Sequence, residues 1–222
     1  MTKTLTWSHT SLKEFETCAR KYHVNRVLKL YPYKETEATQ EGNEFHKAME
    51  DAIRDKVPLP EKYKKHRPLL DAMLLKPGRK MAEIKMGATR NLDACDFFAK
   101  DVWVRGVADL LIVDDEDLKA WVVDWKTGKN KYPDLDQLTL MSLLVFAKFP
   151  HIRQVNSALV FVNYDDLRKK RMFREQAEQE WWKYRERTGR IEAAAAADQW
   201  HANPGPLCGW CEHIACEHHP KH

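Results

Sequence analysis

The stretch 101–128, DVWVRGVADLLIVDDEDLKAWVVDWKTG, constrains the fold more than any other, because it embeds charged groups in strand-forming sequence. VWVRGVADLLIV and LKAWVVDW are rich in β-branched and aromatic residues, and the acidic run Asp114-Asp115-Glu116-Asp117 between them is a turn signal. The two runs are expected to pair antiparallel as a hairpin. Asp109 lies among apolar neighbours in the first run, and the second ends in Asp124-Trp125-Lys126 before Thr127-Gly128 breaks the strand. With a period of two, Asp124 and Lys126 project from one face.

Two carboxylates close together in apolar strands repel each other and resist desolvation unless positive charge lies between them. A divalent cation supplies that charge. Mg²⁺ commonly takes one or two protein carboxylates plus phosphate oxygens, so Asp109 and Asp124 read as half a site. Lys126 beside them is placed to orient or help deprotonate a water and to stabilise charge developing at phosphorus. On the triplet alone, a hairpin carrying an ordinary Asp124–Lys126 salt bridge is the simpler account, because 32% of the chain is charged.

The flanking segments read as helices and further strands. Ser11 and Glu14 form a capping box for a helix over 11–30, with Leu12, Phe15, Ala19, Tyr22 and Val27 as its apolar stripe. A second helical pattern over 37–55 sets Phe45, Met49, Ala52 and Ile53 on one side and His46 at the edge of that face. After Pro58 and Pro60, a third helix over 62–75 presents Lys62, Lys64, Lys65 and Arg67, either as a solvated face or as a grip on a DNA backbone. Residues 80–89 read as a strand, with Glu83 either a third carboxylate or an exposed residue paired with Lys85. Lys129, Lys131 and Tyr132 fall in a loop, and Asp134 or Asp136 caps a helix containing Leu138, Met141, Leu144 and Val145, with Gln137 in its first turn. A buried strand over 154–164 and a turn and short strand over 165–173 follow. A polar helix over 175–200, with Trp181, Trp182 and Tyr184 as packing residues, stops at the breakers Asn203 to Pro206.

The length of 222 residues suits one domain, divided as a helical N-terminal part (1–78), an α/β core (79–174) and a C-terminal helix with a cysteine tail (175–222). No run approaches the roughly 18 apolar residues of a membrane span, and the first residues lack a signal-peptide core. A cytoplasmic setting follows, in which disulfides are not expected. The net charge of +4 permits nucleic-acid binding without requiring it. Cys208, Cys211 and Cys216 then point to metal, with tetrahedral Zn²⁺ and an iron–sulfur cluster both open and His213, His218 and His219 as alternative nitrogen ligands.

Gly106-x-x-Asp109, the short hairpin, Val122–Lys129 reading V-V-D-W-K-T-G-K and a helix opening near Gln137 resemble the RecB-like group of PD-(D/E)XK nucleases. The resemblance implies an α/β, restriction-endonuclease-like mixed sheet flanked by helices, with the cysteine tail closing on the first helix. It implies Asp109, Asp124, Lys126, Gln137 and Glu83 as catalytic residues. His46, through a G-x-x-x-H helix from Gly42, joins Asp109, Asp124 and Trp125 as the set for Mg²⁺ or Mn²⁺. Met141 stands where that group carries a tyrosine four residues after the glutamine, so that tyrosine's role has no bearer here. The L-x-x-F-x-x-C-x-x-x-Y pattern from Leu12 to Tyr22 resembles the members with a [4Fe-4S] cluster, implying Cys18 with Cys208, Cys211 and Cys216 as ligands and Cys95 as a free thiol. Zn²⁺ is the alternative, since the last gap of the array departs from the usual spacing. The implied activity is metal-dependent DNA cleavage, as an exonuclease on single strands or duplex ends, with recombination or replication proteins as partners. Two rivals are an accessory protein that docks DNA without turnover and a zinc-binding interaction protein.

Overall fold

The computed structural model describes residues 5–32, 34–129, 131 and 133–221. Tyr132, placed in a loop by its sequence context, lies outside the described residues. In chain order the elements are β1 (Trp7–Ser8), α1 (His9–Thr17), α2 (Ala19–Tyr22), α3 (Glu37–Arg54), α4 (Arg67–Leu74), β2 (Arg79–Thr89), β3 (Ala94–Cys95), β4 (Val102–Asp114), β5 (Lys119–Lys126), α5 (Asp136–Lys148), β6 (Gln154–Phe161), β7 (Asp166–Phe173) and α6 (Ala177–Ala197). They form two compact units, one comprising Met1–Thr6 and Glu35–Glu180, the other Trp7–Lys34 and Trp181–His222.

The first unit is built on a mixed sheet in the order β3-β2-β4-β5-β6-β7, in which β5 and β6 run parallel and the other neighbours antiparallel. This is the α/β, restriction-endonuclease-like arrangement that the sequence implied. The expected hairpin is present, with Asp114 opposite Lys119 and Leu110 opposite Val123. Its turn is set by Asp114, whose Oδ1 accepts the N–H groups of Glu116 and Asp117 at 3.2 Å each. The parallel pair β5 and β6 is joined through α5, which delivers the first turn of α5 to the C-terminal end of β5, where ligands of such sheets gather.

Each face of the sheet is covered for a reason visible in the residues. On one side α3 packs Phe45, Met49 and Ala52, and α4 packs Leu70, against Leu110, Ile112, Val123, Trp125 and Val160. On the other, Leu138 of α5 meets Leu159 and Phe161. Residues 138–146 are all buried, as their nearly unbroken apolar run requires, and each large side chain so buried contributes roughly 1.5–3 kcal/mol. The expected helix over 62–75 is instead a 3₁₀ segment, Glu61–His66, followed by α4, because Pro68 lacks the N–H that an interior helical position needs and fits only a first turn. Its charge run is solvated and paired, Lys62 with Glu44, Lys64 with Glu61 and Arg67 with Asp71.

The second unit corrects the expected continuous helix over 11–30. Ser8, not Ser11, is the N-cap: its side chain accepts from Ser11 N–H at 3.3 Å, and Ser11 Oγ accepts from Ser8 N–H at 2.8 Å. The helix breaks at Cys18, which is extended at φ −163° and ψ 112°, and α2 passes into a π-turn over His23–Val27. The tail closes on this break: Asn203 donates through Nδ2 to Thr17 O at 3.1 Å and through its N–H to Cys18 Sγ at 3.5 Å. Helix α6 ends at Ala197 rather than Trp200, and Trp200 stacks on His23 with ring centroids 4.7 Å apart. Trp181 and Tyr184 are buried as packing residues, whereas Trp182 is 59% exposed.

One glycine of the central strand is fixed by packing. A Cβ on Gly106 would lie 2.6 Å from Leu144 Cδ1 and 2.9 Å from Met141 Sδ, so a side chain at 106 would force the ends of those two α5 residues to move. Gly106→Val is therefore expected to lower stability by about 1–3 kcal/mol, the range for overpacking. In a double-mutant cycle read by denaturant unfolding, Met141→Ala should recover part of that loss; strict additivity would show that the two residues do not press on each other.

Candidate active site

The site is assembled where the paired hairpin ends. The β4–β5 register runs from Asp114↔Lys119 to Leu110↔Val123, and one further step brings Asp109 level with Asp124. Beyond the last pair, Asp109 Oδ2 accepts the Trp125 backbone N–H at 2.6 Å. A main-chain donor past the end of the ladder thus finds a partner in a side chain instead of another strand. Asp109 Oδ1 lies 3.2 Å from His46 Nδ1, so both oxygens of this carboxylate are used and its orientation is fixed.

Glu83 comes from the other side of β4. The flanking pairs Ala82↔Leu110 and Ile84↔Ala108 set it opposite Asp109. It adopts φ +50°, a left-handed conformation that costs a non-glycine residue roughly 1–3 kcal/mol and is typical of functional positions. Its Oε1 is 4.0 Å from His46 Nδ1, and ligand atoms of His46, Glu83 and Asp109 lie within 4.8 Å of one another. Glu83 thus lies beside His46 and Asp109. His46 reaches the group because α3 comes close to the end of β5: a Cβ on Gly42 would stand 3.2 Å from Thr127 Oγ1. Gly42 lies four residues before His46 and therefore on the same helix face.

Asp124 and Lys126 do share a face, with Oδ2 and Nζ 2.7 Å apart. The carboxylate is buried and the ammonium partly exposed, at 7% and 33% of their side chains. Gln137, delivered by the first turn of α5, donates from Nε2 to Asp124 Oδ1 at 2.6 Å. Asp124 lies outside the 4.8 Å set and joins it through charge interactions with Asp109 and His46. Trp125 meets the site through its backbone, since its indole is buried in the core and offers no ligand atom.

The electrostatics follow from burial in one small volume. Burial pushes the Asp124 carboxyl above the usual carboxylate range; the charge of Lys126 opposes this and that of Asp109 reinforces it. Glu83 is raised by burial and then by Asp109. For His46, burial works against the protonated ring, but the Asp109 hydrogen bond and the charges of Asp109, Asp124 and Glu83 outweigh it and leave its pKa raised. A proton on His46 thus balances carboxylates that a divalent cation can balance instead, releasing that proton as it binds.

The donors present fit such a cation. Carboxylate oxygens and one imidazole nitrogen converge, and the buried Asp124 Oδ2 lies 2.7 Å from the Lys126 ammonium. The charge on that oxygen is already offset in part by the Lys126 ammonium. Two of these features were not read from the sequence: the Trp125 N–H that anchors Asp109, and the close approach at Gly42, whose signal is the glycine itself at the four-residue spacing from His46.

In the second unit, Cys18, Cys208, Cys211 and Cys216 all line one cavity of about 430 Å³, whose wall also carries His213, His218 and His219. All five cysteines are free thiols, and Cys95 lies apart in β3. Among the described residues, no three donor atoms of this set lie within 4.8 Å of one another, so the thiols surround the cavity without closing on one point.

Among the described residues, no helix is long and apolar enough to cross a membrane. No curated protein sequence matches the chain. A crystal structure from Eubacterium rectale, described as that of a candidate exonuclease, aligns with TM-score 0.54 and 14% identity over 95% of this chain and 88% of that one. The structure of SSO0001 aligns with TM-score 0.40 and 10% identity over 99% of this chain and 89% of that one. The sequence profile of the PD-(D/E)XK nuclease superfamily matches residues 6–216, and by that match, spanning hairpin, site and cysteine tail, the chain belongs to the PD-(D/E)XK nuclease superfamily.

Proposed function

We propose that the protein is a divalent-cation-dependent deoxyribonuclease that works as an exonuclease on single strands or duplex ends, in recombination, repair or phage DNA processing. The observation that carries the reading is the convergence of His46, Glu83 and Asp109 beside the Asp124–Lys126 pair. When held by His46, Glu83, Asp109, Asp124 and the Trp125 backbone, Mg²⁺ or Mn²⁺ supplies Lewis-acid activation of the phosphate and a water of lowered pKa. Lys126 is partly exposed beside the buried Asp124 carboxylate; it orients the attacking water and offsets charge developing on the phosphoryl oxygens. The water oxygen bonds to phosphorus as the bridging P–O bond breaks in line, leaving a phosphomonoester and a hydroxyl. Gln137 acts through Asp124, fixing the carboxylate plane, and is a positioning residue. In the second unit we assign Cys18, Cys208, Cys211 and Cys216 to a [4Fe-4S] cluster with a structural role; structural Zn²⁺ is the competing occupant. The shared cavity and free thiols support this.

End-labelled single- and double-stranded DNA, linear and circular, incubated with Mg²⁺, Mn²⁺ or EDTA, tests the reading. Linear DNA should be degraded only with metal, circles should survive, and Lys126→Ala should slow cleavage by roughly 10²–10⁴-fold while remaining folded. Robust cleavage by Lys126→Ala would remove the lysine from the mechanism. Cut circles would make the enzyme an endonuclease.

Burial opposes the charge on Asp124, so its ionised form weakens the metal-free fold. A carboxyl whose folded pKa is raised contributes stability below its unfolded pKa and loses it as pH rises through the folded value. In EDTA near neutral pH, Asp124→Asn should thus melt at or above the wild-type temperature while cleavage is abolished. A clearly lower melting temperature would mean that the Lys126 pair outweighs desolvation.

Cys211→Ser should lose the bound metal and destabilise the second unit by about 2–5 kcal/mol, the scale of releasing a long closed loop. Metal analysis and the brown colour of iron–sulfur distinguish cluster from zinc. Full stability without metal would refute the structural role.

A further inference from the structure

We infer that the first unit carries a second nucleic-acid contact, a groove on the sheet surface beside α4 that takes a single-stranded DNA segment by stacking a base near Trp121 and pairing its phosphates with Lys76, Lys169 and Arg171. The inference rests on the nuclease reading and extends it to how the strand is held away from the scissile bond.

The groove is a cavity of about 320 Å³ over β5, β6 and β7, walled on one side by Met73 of α4 and Lys76 just past it. Register explains its composition. Trp121 of β5 stands beside Asn156 of β6, which stands beside Arg171 of β7, and two residues along Val123, Ala158 and Lys169 make the next row of the same face. Small or polar residues in the middle strand leave a trough, with an aromatic on one side and cations on the other. Lys76 Nζ sits 5.1 Å from the centre of the Trp121 ring. No carboxylate lies on the walls, although the chain has 33 acidic residues against 37 basic ones. Lys170, the remaining basic residue of the lining, reaches Thr139 with its ammonium and is already engaged.

Charge and shape together select the occupant. A half-buried indole flanked by ammonium and guanidinium groups suits a strand whose bases are unstacked and whose phosphates are close by. Asn156 Oδ1 already accepts from Gln154 Nε2 at 3.0 Å and from Arg171 Nε at 3.3 Å, which anchors Arg171 to the middle strand of the trough. Basic residues on an edge strand also discourage pairing with another sheet. That explains charge on β7, but not the indole and Lys76 facing it across the trough. Trp121 lies three residues before Asp124 on β5, roughly 10 Å along the strand and, by the strand's period of two, on the opposite face of the sheet.

Binding is measured on the full chain in EDTA, where no turnover occurs, with a fluorescent single-stranded oligonucleotide carrying 5-iodouracil. Lys76→Glu/Lys169→Glu should weaken binding by roughly tenfold or more and reduce the salt slope by about 1.4, two phosphate contacts at about 0.7 each. Lys64→Glu/Lys148→Glu, with the same change in net charge outside the groove, should not. Irradiation should attach the oligonucleotide to the peptide containing Trp121. Equal losses in both double variants, or attachment only elsewhere, overturn the groove. Competition by free dTMP at the strand's own affinity would make it a mononucleotide pocket and overturn the strand assignment. A wild-type protein that binds and cross-links through Trp121 but cleaves no DNA with metal leaves the groove standing and sinks the nuclease reading. Cleavage with binding unaffected by the groove variants does the reverse.

Discussion

The Asp109 carboxylate is the interaction on which the rest of the site depends. One oxygen takes the Trp125 N–H where the β4–β5 ladder ends, and the other faces His46. The same group therefore caps a strand end and orients the imidazole. Because each oxygen is held by a protein partner on a fixed element, it cannot rotate without exposing a buried N–H, whose desolvation costs about 1–3 kcal/mol, and each keeps a lone pair for a further ligand. The neighbouring groups take their places around it: Glu83 by register across β4, Asp124 by register across β5, and Gln137 through the crossover that starts at the end of β5.

This arrangement is expensive for folding. Asp124 is buried with a raised pKa, Glu83 sits at positive φ, and His46 bears a raised pKa among three carboxylates. Each runs against the preferences that stabilise the sheet elsewhere, where Leu110, Ile112, Val123 and Trp125 are almost fully buried against α3. Strained, like-charged clusters persist when the surrounding core over-determines them and a ligand of opposite charge relieves them. The core around α3 and α5 supplies the first condition, and the oxygen-rich donor set suits the second.

The hairpin was legible because its information is local: alternation, an acidic turn and a charged triplet lie within 28 contiguous residues, 101–128. Asp124 and Lys126 could be placed for the same reason, whereas Gln137 lies beyond that stretch and was indicated by the family resemblance. The left-handed Glu83 was not, since only its position opposite Asp109 makes that conformation worthwhile, and sequence leaves its partner open. The break at Cys18 was hidden too. Residues 11–30 have a helical period throughout, and the contacts that accompany the interruption come from Asn203, far along the chain. Pro68 did carry a local warning, as a proline inside a helical pattern marks a boundary and here sits at the start of α4.

Met141 shows why a departure from a motif need not damage a fold. Where the resembling group carries a tyrosine, this chain has a flexible thioether pressed against the bare backbone of Gly106, and a neighbouring turn adds Leu144 to the same contact. An unbranched side chain can follow the strand's contour and fill the space without needing a hydrogen-bond partner, which a buried tyrosine hydroxyl at this contact would require. The helix still rests close on β4, and its first turn still brings Gln137 to Asp124. The position is therefore kept by packing, and the polar work of α5 falls to the glutamine at its start.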